Sequence, residues 1–338
     1  MADKISFYGL SGSGKSCYIF AMSQALSQGI ELDDEELMTV ITPEPRQMLK
    51  LYKAYEKMVN GYWPHGTDTS VTYNFNVRKA LELLMKVDIT DYRGGLLDSD
   101  DEDDEDEQSK LFKSFSDSSA LIFFFGADKV KAAMNGDMMA RFNFQHFNAL
   151  YESYLETSRV KDTPVMVVLS KADMLTAEEK MKAFEFIKNQ MRQLFAKGTR
   201  CTVGLTAVSL GHELTNNNGE LEGVLDVRAT SGNLSIPILF SLFQIMSKRI
   251  ESTIGQIENS EKSLYNSKVA LNNELSRNSF IRIFDNNEAR IREQINRCNA
   301  AIGEDKNLLH RLNSSLAAIK KYLLSGAEIY IDGNKIMI

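Results

Sequence analysis

Proline is scarce, five in 338 residues, so little interrupts long helices and a loop-rich fold is disfavoured. Cysteine is scarcer still. Cys17, Cys201 and Cys298 are odd in number and far apart, so neither a disulfide framework nor a zinc site is expected. That usage fits a reducing compartment. The four histidines, His65, His146, His212 and His310, form no i, i+4 pair and no cluster on which a metal triad could be built. No run reaches the roughly 18 apolar residues that a bilayer span needs. Met1-Ala2-Asp3-Lys4 leads straight into a strand-like segment, so no signal peptide is expected. These absences exclude a secreted, transmembrane or disulfide-rich class and set the expectation of a cytoplasmic protein.

Hydrophobic residues make up 43% of the chain and charged residues 25%, the composition of a globular protein able to bury a core. The net charge of −7 is concentrated. The run from Asp98 to Glu107 (DSDDEDDEDE) holds nine acids, and setting them aside leaves the rest of the chain at +2. The acidity is therefore one segment, and nucleic acid is not expected as a partner.

Through the first two-thirds, strand-like and helix-like segments alternate. Residues 4–8 (KISFY) end at a Gly-rich turn, and residues 15–26 read as a helix. Residues 70–77 (SVTYNFNV) and 81–89 predict an antiparallel hairpin. Residues 120–126 (ALIFFFG) and 164–169 (PVMVVL) are continuous apolar runs, as in strands covered on both faces. A helix over 176–197 and a last strand over 201–208 complete a mostly parallel α/β sheet with helices on both faces. From about residue 247 two apolar series follow 4-3 spacing. The first is Ile250, Ile254, Ile257, Leu264, Leu271 and Leu275. The second is Ile291, Ile295, Cys298, Ile302, Leu309, Leu312, Leu316, Ile319 and Leu323, with Asp305 the break. They predict an antiparallel coiled-coil hairpin with arms of about 40 Å. Asp332-Gly333 between apolar residues signals a terminal β-hairpin. The expected domains are 1–245, with 98–107 as an acidic insertion, then 246–326 as the helical hairpin and 327–338 as a short tail.

Gly9-Leu10-Ser11-Gly12-Ser13-Gly14-Lys15-Ser16 matches G-x-x-x-x-G-K-[ST] in full, between a strand and a helix. Its glycines let the backbone wrap closely around phosphates, with N–H groups pointing inward and the helix N-terminus adding partial positive charge. In such a loop Lys15 reaches the β- and γ-phosphates and the Ser16 hydroxyl binds Mg²⁺. Downstream, Asp91-Tyr92-Arg93-Gly94 follows a strand. Asp91 is placed to hold Mg²⁺, usually through water, and the Gly94 N–H to meet a γ-phosphate. A plain turn reads equally well. Ser170-Lys171-Ala172-Asp173 follows the next apolar strand. A carboxylate at Asp173 can accept from two guanine N–H groups, where adenine offers neither donor. Leu205-Thr206-Ala207-Val208-Ser209 could then offer backbone N–H groups to the guanine carbonyl.

In this order the stations resemble the small-GTPase-like branch of the P-loop (TRAFAC-type) GTPases over roughly residues 1–245. The segment Trp63-Pro64-His65-Gly66-Thr67 resembles the first switch of bacterial double-GTPase-type proteins. The resemblance implies Mg²⁺-dependent binding of GTP and GDP and hydrolysis of GTP to GDP and phosphate. It implies nucleotide contacts from Gly9, Ser11, Gly12, Ser13, Gly14, Lys15, Ser16, Cys17, Ser170, Lys171, Asp173, Ala207 and Val208. Ser16, Thr67 and Asp91 would hold the metal, with Thr69 the fallback for Thr67. Catalytic roles would fall to Lys15, Thr67, Arg93 and Gly94. The chain departs from the pattern at Gly95, where many relatives carry Gln, and at Ser170, where Asn or Thr is commoner. The 80 residues between Asp91 and Lys171 are also a long interval for the family. Without that Gln, hydrolysis is expected to be slow, or to use a partner's residue or Arg93 in cis; the other reading of Arg93 is an ordinary surface arginine.

The leading expectation is a GTP-hydrolysing molecular switch that signals through its helical hairpin to a partner or a second copy. Two rivals stand beside it: a GTP-dependent self-assembling or membrane-associated (dynamin-like) protein, and a nucleotide-binding scaffold with very slow hydrolysis. Residues 98–107 read as a solvated loop, or as a docking segment for a basic partner. The hairpin tip, with Phe280, Ile281, Ile283 and Phe284 among Arg277, Arg282, Arg290 and Arg292, reads as local packing, or as a patch for an anionic membrane or a partner's groove. Met138, Met139, Phe142, Phe144 and Phe147 read as packing residues.

Overall fold

The computed structural model describes residues 2–31, 36–62, 64, 69–94, 105–157, 162–217, 220–225, 233–276 and 287–336. Two compact units emerge: Met1–Ile245 together with Ala318–Ile338, and Met246–Ala317.

The first unit is built on a ten-stranded sheet. Its strands in chain order are β1 (Asp3–Gly9), β2 (Ile30–Glu31), β3 (Leu37–Ile41), β4 (Val71–Lys79), β5 (Glu82–Asp91), β6 (Ala120–Gly126), β7 (Val165–Ser170), β8 (Thr202–Ala207), β11 (Glu328–Ile331) and β12 (Asn334–Lys335), while β9 (Gly211–Asn217) and β10 (Glu220–Leu225) form a separate antiparallel ribbon. Across the sheet the order is β12-β11-β8-β7-β6-β1-β5-β4-β3-β2. The centre, β8-β7-β6-β1-β5, is parallel, and both edges are antiparallel additions. Chain order reverses at β1, which pairs with β5 on one side and β6 on the other. Such a switch point leaves a crevice beyond the carboxyl ends of the strands.

Alternation along β6 serves two cores. Phe123 packs with Phe115 and Phe147 on one face of the sheet. Phe124 meets Phe7 and Tyr18 on the other. The first face is covered by α3 (Glu105–Ser116), α4 (Ala127–Met134), α5 (Met138–Thr157) and α6 (Ala177–Gln190). On the second face lies α1 (Lys15–Ser27), against which α2 (Pro45–Val59) packs. Every residue of β6 and β7 is buried, which accounts for their unbroken apolar sequences.

Several expectations change. The helix over 176–197 stops at Gln190: Met191 leaves helical geometry to bury its side chain, and α7 (Arg192–Phe195) follows. β8 is not the last strand of the sheet, because the closing hairpin, expected as a separate tail, pairs antiparallel with it through β11. Asp332 and Gly333 both take positive φ, as the Asp-Gly turn requires, and Asp332 Oδ1 accepts from the Gly198 N–H at 2.7 Å. Residues 105–107 of the acidic run open α3, and residues 98–104 lie outside the described residues. Met138, Met139 and Phe142 are exposed, while Phe144 and Phe147 are core.

Two 40-residue helices follow, α8 (Ile236–Leu275) and α9 (Asn287–Gly326). Within the second unit they run antiparallel, with Lys306 paired to Glu261 at 3.0 Å and the Cys298 thiol 3.8 Å from Ser263 Oγ. On α8 the buried positions differ from the apolar series. Thr253, Ile257, Ser267 and Glu274 are buried, whereas Ile254 and Leu275 are exposed, each one residue out of phase with a 4-3 progression through Ile257. The tip, residues 277–286, lies outside the described residues. Among the described residues no helix is long and apolar enough to cross a membrane.

The joined edge has a measurable anchor. Tyr330 is buried, edge-on to Phe195 with centroids 5.2 Å apart, and its hydroxyl donates to Glu328 at 2.6 Å. Tyr330→Ala is expected to cost about 3–5 kcal/mol in thermal or urea unfolding, and Tyr330→Phe about 1 kcal/mol. A separate tail would leave both variants at parental stability.

Candidate functional site

The site lies at the β1 switch point. After Gly9 the chain turns with Ser13 N–H donating to the Leu10 carbonyl at 3.1 Å. Gly14 then enters the left-handed region at φ 85, immediately before α1. A side chain there would be strained, which is why the position takes glycine. No side chain caps the N-terminus of α1, so its first-turn amides are free of side-chain acceptors, an anion-binding arrangement.

Lys15 is buried and its ammonium donates to the Gly9 carbonyl at 2.5 Å and to the Leu10 carbonyl at 3.3 Å. Burial lowers its pKa, and the nearby Asp91 carboxylate opposes that shift. Ser16 Oγ donates to Asp91 Oδ2 at 2.6 Å. Asp91 is fully buried at the end of β5, opposite Phe7 of β1. Burial raises its carboxyl pKa, with Lys15 and the Ser16 hydrogen bond pulling it back. Its second oxygen, Oδ1, is buried without a hydrogen-bond partner. A hydroxyl and an unanswered hard carboxylate oxygen side by side suit a divalent cation such as Mg²⁺. The two residues expected to hold the metal from opposite ends of the motif set thus meet. Thr67 lies outside the described residues, and Thr69 is exposed.

Gly94 lies against the phosphate loop. A Cβ at this position would fall 2.3 Å from the Ser11 N, so the turn can approach the loop this closely only as glycine. Arg93 enters through its backbone, whose N–H donates to Ser70 Oγ at 3.3 Å. Ser11 and Gly12 are exposed on the loop, and Ser13 is buried. Burial pushes the Cys17 thiol up to about 12, which makes it an inert neighbour of the site.

The second half of the site follows β7. Ser170 Oγ donates to the Ser13 carbonyl at 2.6 Å and lies 3.2 Å from the Phe125 carbonyl. This serine therefore ties the turn after β7 to the phosphate loop. Lys171 sits at φ 55 and forms an ion pair with Asp128 at 2.8 Å. Asp173 Oδ1 accepts from Ser209 Oγ at 3.0 Å. The Val208 N–H, expected to be available to a base carbonyl, donates instead to Leu169 at 2.8 Å, because the chain is still held to β7. Ala207 is half-buried at the end of β8.

Sequence reasoning missed Asp128 as the partner of Lys171 and Ser209 as the partner of Asp173. No local pattern marks either. Asp128 is an ordinary first-turn acid of α4, and its role comes from β6 lying beside β7.

No family model matches the chain, and no curated protein matches it in sequence. Similar solved structures include the bacterial selenocysteine-specific elongation factor EF-Sec, at 14% identity over 62% of this chain and 26% of that one, with a TM-score of 0.33. SsGBP in complex with GDP shares 12% identity over 62% of this chain and 44% of its own, with a TM-score of 0.30. The S. cerevisiae Ski7 GTPase-like domain bound to GTP shares 12% over 62% and 43%, with a TM-score of 0.35. The chain spans less than half the length of each. Overlap of that extent assigns neither a family nor an activity.

The tether between the two halves gives a direct test. Ser170→Ala leaves the Ser13 carbonyl without its hydroxyl donor and is expected to lower unfolding stability by about 1–3 kcal/mol. A change below a few tenths would mean that the tether does not hold the loop.

Proposed function

We propose that this chain is a Mg²⁺-dependent guanine-nucleotide switch of the cytoplasm that binds GTP and GDP and hydrolyses GTP slowly. The observation that carries the reading is the part-buried Ser16–Asp91 hydrogen bond beside Lys15, with Asp91 Oδ1 unpartnered, at the mouth of the loop after β1.

The loop amides from Ser11 to Cys17 and the start of α1 cradle the phosphates. Arrival of a phosphate draws Lys15 off the Gly9 and Leu10 carbonyls, since a phosphate oxygen is the stronger acceptor for an ammonium. Ser16 and Asp91 hold the metal, with Thr67 completing the set. Magnesium, when bound, neutralises the phosphate oxygens that gain charge during transfer. Asp173, oriented by Ser209, accepts from the guanine edge, and Lys171 and Ser170 frame the base.

Hydrolysis depends on positioning a water against the γ-phosphate, and Gly95 brings no side chain to that task. The rate is therefore low unless Arg93 or a partner's residue supplies stabilising charge. Gly94, in contact range of Ser11, is the point at which gain or loss of the γ-phosphate moves the turn. Strand β8 offers a route outward. Phe240 near the start of α8 lies so close to Gly204 that a Cβ there would fall 3.1 Å from its ring, and Thr206 Oγ1 donates to the Gly326 carbonyl at the end of α9 at 2.5 Å. The long helices carry the change to a protein partner.

Titration with GTP, GDP and ATP, with and without EDTA, checks the reading. GTP and GDP should bind with Mg²⁺ present and ATP should not compete. Lys15→Ala should abolish binding. Asp173→Asn should weaken guanine nucleotides by roughly 10- to 100-fold, the worth of one or two unpaired buried donors. Preference for ATP, or indifference to Asp173→Asn, would sink the proposal.

A further inference from the structure

Helix α2 carries a surface that the nucleotide site does not use. Gln47, Leu51 and Met58 form its buried side. At 3.6 residues per turn, Met48, Tyr52 and Val59 share one flank, and they are 48%, 52% and 56% exposed. Arg46, Lys50, Lys53 and Lys57 share the opposite flank and are all exposed. None of these four cations forms an ion pair with a described residue. Elsewhere Lys131, Lys182, Lys188 and Lys306 are each paired with a glutamate. Like charges one helical turn apart repel, so an anionic strip laid along the row removes a standing cost.

The chain itself contains such a strip. Asp98, Asp100, Asp101, Glu102, Asp103 and Asp104 stand within seven residues, which lie outside the described residues. In an extended peptide every second side chain faces the same way, about 6.6–7 Å apart. That period is close to the 5–6 Å between successive members of a helical row.

We propose that α2 of one molecule docks the acidic stretch 98–104 of a second copy, forming a reciprocal dimer. The second copy is favoured over the same molecule by where the stretch is anchored. It leaves from Gly94 on the phosphate loop and returns into α3, on the Phe123 face of the sheet, whereas α2 packs on α1 over the Phe124 face. Exchange in both directions closes the symmetry with two identical contacts. Leu49, 54% exposed between the two flanks, then supplies apolar area beside the ionic contact. The interface goes beyond the nucleotide switch and does not depend on which base is bound.

Light scattering on the full chain tests it. The parent should be dimeric at about 50 mM salt and monomeric at about 500 mM, as expected where screening weakens exposed charge contacts. Two charge-reversed proteins are then compared: Lys50→Glu with Lys53→Glu and Lys57→Glu, and Asp100→Lys with Asp101→Lys and Asp103→Lys. Each alone should be monomeric with a parental melting temperature, and their equimolar mixture should recover the dimer mass. A parent that stays monomeric at low salt overturns the proposal, as does a mixture that stays monomeric while both proteins are folded. Salt-sensitive binding of the monomeric parent to phosphatidylserine vesicles, lost in the lysine-reversed protein, would assign the row to a membrane instead.

Discussion

Asp91 is shut away from bulk solvent, and a buried carboxylate costs free energy unless donors or opposite charge answer it. Here the answer is divided. Ser16 satisfies one oxygen, Lys15 contributes its field, and the other oxygen has no partner. The parallel register of β1 with β5 places Asp91 opposite Phe7, two residues before the loop, so the carboxylate and the start of α1 converge without a connecting segment of their own. The antiparallel pairing of β4 with β5 buttresses that strand from the outside. The centre of the fold can thus be read as the scaffold for one under-compensated carboxylate.

The site's other half is held by equally few bonds. Ser170 reaches the Ser13 carbonyl across 157 positions of sequence, while Ser209 holds Asp173 and Asp128 holds Lys171. These contacts make the loop after β1 and the turns after β7 and β8 one polar assembly in which each member limits the freedom of the next. β8 belongs to it twice, since Gly204 and Thr206 also meet the first turns of α8 and the last turn of α9.

Charge is distributed with the same economy. Two helices pair cations with glutamates one turn away, as Lys182 with Glu178 on α6 and Arg292 with Glu288 on α9. Helix α2 leaves its row open and the segment after Gly94 leaves its acids concentrated. The chain therefore carries two complementary surpluses, a row of four cations and a run of nine acids.

What the amino-acid order determined by itself is local. The G-x-x-x-x-G-K-S run needs no partner to be read, because its glycines and its helix start are fixed by backbone sterics within eight residues. The apolar strands at 120–126 and 164–169 and the 4-3 series of α9 are likewise periodicities of short windows. Tertiary structure decided whatever depends on pairing between distant windows. It decided that β11 closes the sheet beside β8, and that Thr253 and Glu274 are buried where Ile254 and Leu275 look the better candidates. It also decided that the Val208 N–H is consumed by the sheet, and that Asp128 answers Lys171. A hydrophobic period gives the spacing of a face but not its phase, and a lone acid or amide carries no mark of the partner that folding will bring to it.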